Sequence, residues 1–267
     1  MLIAKADGTE EEFDSQKLLA SLKRSGAEDS AAKQVAEEIE RGLYPGITTG
    51  EIYHRAFAQL REARRGLAAR YSLKRAILDF GPSGFPFESY IAEIFRAEGY
   101  EAQTGQMIRG ACVEHEVDVV AKRGDETVFV EAKFHNSPGY KTDLKTVLYV
   151  WARMEDINKG KGLVVTNTKF TSVAVEYSRC KGLGILGWEQ PHGASLQDRI
   201  EAAKVYPVTA LTTLTGKQKT ALLAERVVLC NDLQRHEEAL GRVGVTGRKT
   251  AAVLDEAASL CLPGAGV

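Results

Sequence analysis

The sequence predicts a multidomain α/β chain with three parts: a small β-hairpin plus helices at residues 1–82, an α/β domain with a mixed sheet at 84–190, and an α-helical module at 191–267. Three observations carry this. A length of 267 residues leaves room for two or three domains of ordinary size. The apolar period changes along the chain: helical spacing up to residue 80, β-rich runs between 100 and 134, alternating helix and strand to 188, and helical spacing alone thereafter. The breaker Gly81-Pro82-Ser83-Gly84 falls at the first of these changes.

Composition narrows the classes. Apolar residues make up 44% and charged residues 27%, which suits a folded domain rather than a disordered chain. The net charge is −1, so no global positive field announces nucleic acid, and any such surface must be a local patch. Cys112, Cys180, Cys230 and Cys261 are scattered without a CxxC pair, which argues against a zinc site or a disulfide framework and fits a reducing cytoplasm. No stretch approaches the roughly 20 apolar residues of a membrane span, and no leader-like apolar run opens the chain.

Residues 2–5 and 11–13 read as two short strands joined by the turn Asp7-Gly8. Asp14 or Ser15 can cap a helix through Leu18, Leu19 and Leu22, which Gly26 ends. A second helix is expected at 30–43, with Val35, Ile39 and Leu43 on one face. After Pro45-Gly46, Thr48 or Thr49 caps a third helix through Ile52, Phe57 and Leu60, and a fourth is expected over about 67–80.

This segment resembles the ATP-cone, the regulatory nucleotide-binding module of ribonucleotide reductases and of their transcriptional repressor. The carrying residues are Ile3-x-Lys5-x-Asp7-Gly8-x-x-Glu11-x-Phe13-Asp14-x-x-Lys17-Leu18, then Ile47-Thr48-Thr49-x-Glu51-Ile52-Tyr53, then Ala69-Arg70-Tyr71-x-Leu73-Lys74-Arg75-Ala76-Ile77. The resemblance implies ATP or dATP as a regulatory ligand, with Lys5, Glu11, Asp14, Lys17, Thr49 and Tyr53 at the nucleotide. Lysines suit phosphates, and carboxylates can accept from ribose or base. Ala6 stands where the family is often basic, and Tyr53 where some members carry histidine. The alternative is a domain that keeps the shape without the ligand.

From Gly84 the character changes. A helix is expected at 89–98, with Glu88 at its start, then a strand at 100–108. Residues 117–121 and 127–134 form a hairpin about the turn Arg123-Gly124-Asp125. Alternation puts Glu131 and Lys133 on one face, and Val130 and Ala132 on the other. Asp118 lies on the partner strand, near enough to join the first pair. Two carboxylates can hold a hard cation such as Mg²⁺, or Mn²⁺, through oxygen. A cation there polarises a phosphate and acidifies water, and a lysine can orient or deprotonate that water. Taken singly, the same strand also reads as an amphipathic one with a wet face. A polar loop follows at 135–140, then a helix capped by Thr142 or Asp143, a buried strand at 162–167, a helix at about 172–181 and a strand at 184–188. The last two strands follow helical crossovers and are expected to run parallel.

That order, with Glu88 on a helix, Asp118 on one strand and Glu131-x-Lys133 on the next, resembles the PD-(D/E)xK nuclease fold and, within it, the Mrr-like (type IV) restriction endonucleases. Asp118 follows Val117 rather than proline. The resemblance implies catalytic roles for Glu88, Asp118, Glu131 and Lys133, with Asp118 and Glu131 on the metal. His115 and Glu116 flank Asp118, and either could assist. His135, Asn136, Lys141, Lys145 and Arg153 are candidates for a DNA-facing surface.

Beyond 190, helices are expected at 196–205, 214–229 and about 248–260. The stretch from Leu240 through Gly241, Arg242, Val243 and Gly244 to Arg248 and Lys249 somewhat resembles a helix-hairpin-helix, whose backbone N–H groups approach DNA phosphates. Lys217, Lys219, Arg248 and Lys249 add positive charge there, although a module that only packs or dimerises would look the same. The combined expectation is a metal-dependent DNA endonuclease, cytoplasmic and dimeric or larger, governed by an adenine nucleotide. One alternative is a nucleotide-responsive DNA-binding regulator with an inactive nuclease fold. Another is a nucleotide-controlled assembly protein.

Overall fold

A computed structural model describes residues 1–5, 8–81 and 83–261. The Asp7-Gly8 turn, the Ala6 departure, the Pro82 breaker and the tail 262–267 lie at or across positions outside the described residues. The architecture is mixed α/β: an N-terminal strand pair with helices, a central five-stranded sheet, and C-terminal helices.

In the N-terminal part, β1 (Leu2–Ala4) pairs antiparallel with β2 (Glu10–Glu12). Asp14 caps α1 (Ser15–Arg24) by accepting from the N–H groups of Gln16 and Lys17 at 2.9 and 3.2 Å. Helix α2 (Asp29–Arg41) buries Ala32, Ala36 and Ile39, and α3 (Thr49–Ala63), capped by Thr48, buries Ile52, Ala56 and Leu60. The single helix expected at 67–80 is two, α4 (Arg65–Tyr71) and α5 (Leu73–Leu78). Between them the Ser72 hydroxyl donates to the Ala69 carbonyl at 2.9 Å, the local side-chain bond by which serine competes with helix. The break also marks a change of core. Ala68 packs into the N-terminal cluster with Leu22, Ile39 and Leu60, whereas Ala69, Leu73 and Ile77 pack into the central one.

Helix α6 (Phe85–Ala97) starts four residues before the expected Ser89, because Pro86 in its first turn is pre-set for helix and lacks an N–H that would need a partner. It buries Phe87, Tyr90, Ile91, Ile94 and Phe95 against the sheet. The strands are β3 (Glu101–Arg109), β4 (Glu114–Arg123), β5 (Glu126–Lys133), β7 (Lys161–Thr166) and β9 (Gly184–Leu186), in the spatial order β3-β4-β5-β7-β9. The first three are antiparallel; β7 and β9 run parallel to β5, after crossovers through α7 (Leu144–Ile157) and α8 (Ser172–Lys181). Two short strands that no periodicity could show, β6 (Lys141–Thr142) and β8 (Lys169–Phe170), form a separate parallel pair beside the sheet.

After β9 come α9 (Leu196–Ala203), α10 (Gly216–Ala224), α11 (Glu237–Arg242) and α12 (Arg248–Cys261). The helix expected to run to 229 stops at Ala224: Arg226 is left-handed, with φ of 62°, and the chain returns extended so that Leu229 bridges Pro207. Leu222, Leu229, Leu233, Leu240, Val253 and Leu260 belong to the same apolar cluster as α5, α6 and the Val119, Val130 and Ala132 face of the sheet. The C-terminal helices thus complete the core on which the sheet rests. No helix among the described residues is long and apolar enough to cross a membrane.

Candidate active site

The site forms where β4 and β5 diverge. Val117 and Val119 are two residues apart, yet they belong to different apolar clusters, on opposite sides of the sheet. Alternation therefore breaks at Asp118, and across from it in β3 stands Gly105 with φ of 60°. Asp118 is freed from the regular pleat, and its Oδ2 accepts the Ala132 N–H at 2.7 Å, which ties it to β5. Glu131 follows the regular pattern, between buried Val130 and Ala132. Its Oε2 accepts from the Arg153 guanidinium of α7 at 2.8 Å, with both side chains largely buried. Arg153 also stacks 4.7 Å from the Tyr149 ring centroid, and its Nε is buried without a partner. The DNA-facing role expected for Arg153 is thus corrected: its charge is turned inward and spent on Glu131.

Two carboxylates here, Glu88 and Asp118, feel their acidic neighbours. Burial pushes Glu88 up to about 7, with Asp118, Glu116 and Glu131 adding repulsion in that order. Burial pushes Asp118 up to about 6; Glu131 and Glu116 push the same way, while the Ala132 N–H and Arg153 oppose. The helix α6, the strand β4 and the strand β5 therefore bring Glu88, Glu116, Asp118 and Glu131 within electrostatic reach, a concentration of like charge that is costly without a cation. Lys133 lies two residues beyond Glu131 on the same strand, exposed.

Among the described residues, no group of three or more His, Cys, Asp or Glu side chains is placed to cage a metal. Asp118 and Glu131 offer two hard oxygen donors instead. Such a donor set suits a hard divalent cation that completes its shell with waters and phosphate oxygens.

His115 turns away. Its Nε2 meets Asp156 Oδ2 at 2.7 Å, and Asp156 also accepts the N–H groups of Cys112 and Val113. The four groups clamp the β3–β4 turn. His115 is bound into this turn, whereas Glu116 lies within electrostatic reach of Glu88 and Asp118. His135 follows Lys133, and its main chain is gripped on both sides by Asn167: its N–H donates to Oδ1 at 2.8 Å and its carbonyl accepts from Nδ2 at 2.7 Å. Its ring lies 3.1 Å from Thr142 Oγ1 and stacks on Tyr140. Burial first and Lys133 second hold the imidazole below its ordinary pKa. Asn136, Lys141 and Lys145 are exposed around this loop. Asn167 was missed in the sequence, where a polar residue after a buried strand carries no distinctive signal.

The remaining candidates lie elsewhere. Lys217 and Arg248 are exposed on α10 and α12. Lys249 donates to Gln218 at 2.7 Å and lines a cleft of about 420 Å³ with Arg61 and Arg65 of the N-terminal part. Lys219 is drawn off the expected basic surface, donating to the Thr209 carbonyl at 2.6 Å. Around the N-terminal hairpin, Lys5 pairs with Glu11 at 2.9 Å and Lys17 lies within electrostatic reach of the same carboxylate. Asp14 is occupied as a helix cap, Thr49 is half-buried, and Tyr53 stacks on Tyr71 at 5.3 Å. Burial pushes the Tyr53 hydroxyl up to about 12.

Comparison with known proteins bears on the whole. A family model described as restriction endonuclease matches residues 82–186, the ATP cone domain model matches 1–79, and a model described as AF1548-like, C-terminal, matches 206–261. The chain therefore joins an ATP cone to a restriction endonuclease domain. It is 34% identical over 171 residues to an uncharacterized protein of Archaeoglobus fulgidus, an alignment covering 62% of this chain and 97% of the relative, and it belongs to that protein's family. The crystal structure of a protein of unknown function, AF1548, is 32% identical with a TM-score of 0.56, over 67% of this chain and 98% of that one. A structure of the MspJI restriction endonuclease with a 27-mer oligonucleotide is 16% identical with a TM-score of 0.37, over 70% of this chain and 39% of that one.

Proposed function

We propose that this protein is a divalent-metal-dependent DNA endonuclease whose activity or oligomeric state is set by ATP or dATP on its ATP cone. The observation that carries the reading is the convergence of Glu88, Glu116, Asp118 and Glu131 beside Lys133. Asp118 and Glu131 would hold Mg²⁺ or Mn²⁺. Bound there, the cation supplies a Lewis acid for the phosphate and a more acidic water.

The chain's own residues do the rest. The Ala132 N–H and the Arg153 guanidinium fix the two carboxylates before the substrate arrives, which lowers the cost of ordering them at the reaction. Lys133 orients the attacking water for in-line displacement and offsets charge on the phosphoryl oxygens. Glu88, raised to about 7, can hold or release a proton at neutral pH beside them. Asn136, Lys141 and Lys145 border the same loop and would meet the DNA backbone; Lys217, Arg248 and Lys249 would extend this from the C-terminal helices. Lys5, Glu11, Lys17, Thr49 and Tyr53 would take the nucleotide, with Asp14 ordering the helix beneath it. Cutting both strands calls for two sites, so a homodimer or larger assembly is part of the reading.

Nicking of supercoiled plasmid, with and without Mg²⁺, ATP and dATP, tests it. Asp118→Ala and Glu131→Ala should each lower Mg²⁺-dependent nicking by about a hundredfold or more while the chain stays folded. Undiminished cleavage by either variant would remove the site assignment. The Arg153–Glu131 pair favours a second reading, a nucleotide-responsive DNA-binding regulator in which the guanidinium stands permanently in for the metal. That reading requires tight DNA binding with no metal-dependent nicking by the wild type.

A further inference from the structure

Lysines of the ATP cone and of the nuclease lie close to the segment Trp188-Glu189. Lys169 of β8 is exposed, and its Nζ lies 3.1 Å from Glu189 Oε2. Both belong to the nuclease region, but the charges around them do not. Lys74 of α5 places its Nζ 5.9 Å from the ring centroid of buried Trp188, the residue before Glu189. Its ammonium is held below the ordinary lysine range by burial first; Lys169 and Lys5 add to this, and Glu189 opposes. On the hairpin, the hydrogen bond from Lys5 is the main cause that holds Glu11 low, and Lys17 and Lys169 contribute. Burial acts upward on Glu189, but Lys74, Lys169 and Arg24 together hold it below its ordinary value. Lys74 and Lys169 thus meet around the Trp188-Glu189 segment, and Lys5 with its partner Glu11 lies within electrostatic reach of them.

We propose that the phosphate chain of the regulatory nucleotide binds between the ATP cone and the nuclease, with Lys169 reaching from the nuclease to complete the lysine set of Lys5 and Lys74. The inference rests on the reading that the ATP cone takes an adenine nucleotide, and adds that the nuclease is part of the site. Three ammonium groups, two of them now answered by carboxylates, match a polyphosphate, which would displace Glu11 and Glu189 as their partners. Arriving phosphates would add negative charge beside both acids and so favour their withdrawal from the lysines, Glu11 turning to the ribose or base of the same nucleotide.

The position of Lys169 gives this binding a physical route to the chemistry. Asn167, two residues earlier, holds both the N–H and the carbonyl of His135, itself two residues after Lys133. Thr166 pairs with Lys133 across β5 and β7. On the other side, the Thr168 carbonyl accepts the Trp188 N–H at 2.8 Å, and the Phe170 N–H donates to Gln190 at 3.0 Å. The segment 166–170 is therefore bonded at once to the loop carrying Glu189 and to the strand carrying Lys133. It is a contiguous hydrogen-bonded network between the two places.

The test uses the full chain and titration calorimetry with ATP, dATP, inorganic tripolyphosphate and adenosine. Lys169→Ala should weaken ATP and tripolyphosphate at least about tenfold and leave adenosine unchanged, while Glu189→Gln should tighten both phosphates. Lys159→Ala, an exposed lysine on the same domain, serves as control and should change nothing; melting temperatures report that each variant is folded. If ATP binds to the wild type and is lost in Lys5→Ala but not weakened in Lys169→Ala, the nuclease has no part in the site and the inference fails while the ATP-cone reading stands. If the wild type binds no nucleotide, both fail. Equal losses for adenosine and ATP would also overturn it, because they would show that Lys169 acts on fold and not on phosphate.

Discussion

Asp118→Asn should stabilise the metal-free protein at alkaline pH while removing its response to Mg²⁺. In the fold the Asp118 carboxyl is displaced from 3.8 to about 6, chiefly by burial and then by Glu131. At 1.36 kcal/mol per tenfold in acidity that displacement is worth about 3 kcal/mol, and partial exposure of the side chain reduces the realised figure to about 1–3 kcal/mol. The sign follows from linkage. Above pH 6 the group is ionised in both folded and unfolded chains, and the fold carries the full cost of the charge. As pH falls from 6 towards 3.8, the folded carboxyl takes up its proton first and the cost disappears. Asparagine keeps an oxygen for the Ala132 N–H without the charge. In EDTA at pH 8 the variant should therefore melt higher than wild type, by up to about 10 °C, and its advantage should shrink steadily towards pH 4. Adding Mg²⁺ should raise the wild type and leave the variant where it was. Thermal melts of both proteins at four pH values, with EDTA and with Mg²⁺, decide the matter. A variant that melts at or below wild type at pH 8, or whose advantage is independent of pH, would refute the claim that Asp118 sits charged and uncompensated among other acids.

Arg153→Met should cost about 3–5 kcal/mol in EDTA, because it leaves Glu131 charged, buried and unpaired; urea denaturation reads this, and part of the loss should return with Mg²⁺. Asn167→Ala removes two hydrogen bonds from the His135 main chain and should cost about 2–4 kcal/mol, with faster amide exchange at residues 134–136 than at β3; unchanged exchange there would mean the clamp does not hold the loop. Asp156 is held well below the ordinary carboxylate range by His115 first and the Cys112 N–H second, so its contribution is present above its unfolded pKa of 3.8 and is lost as pH falls through its folded value. Asp156→Asn should therefore flatten the acid limb of the stability curve, as measured by denaturation between pH 2 and pH 5.

Much of the fold was legible because its signals are local. Asp14 and Thr48 cap the helices the sequence assigned to them, and Gly124 turns the central hairpin with φ of 57°. Glu131 and Lys133 could be placed on one face by alternation alone. What stayed hidden depends on tertiary context. The break between α4 and α5 follows which core each residue meets, and its local sign in the run from Leu67 to Phe80, the single Ser72, is too weak to read alone. The short strands β6 and β8 are two residues each, too short to show a period. Arg153 looked like one more cation on a wet helix face. Its inward turn is decided by Glu131 on a strand 22 residues away, which no local window contains. Asp118 was singled out by its place on the partner strand and by resemblance, but the fault in alternation that presents it becomes visible only once Val117 and Val119 are seen on different sides.

The sharing of apolar clusters sets what can be separated from what. The N-terminal part closes its own core around Leu22, Ile39 and Leu60. The sheet does not: a chain cut after residue 190 would remove Leu222, Leu233, Leu240 and Val253 from the apolar cluster that also holds Phe87, Tyr90 and Ile91. Tyr90 would also lose the Val205 carbonyl that accepts from its hydroxyl at 2.8 Å. By the apolar clusters, the seam between sensor and nuclease thus falls near Ser72, ahead of α5, and not between the nuclease and the helices that follow it.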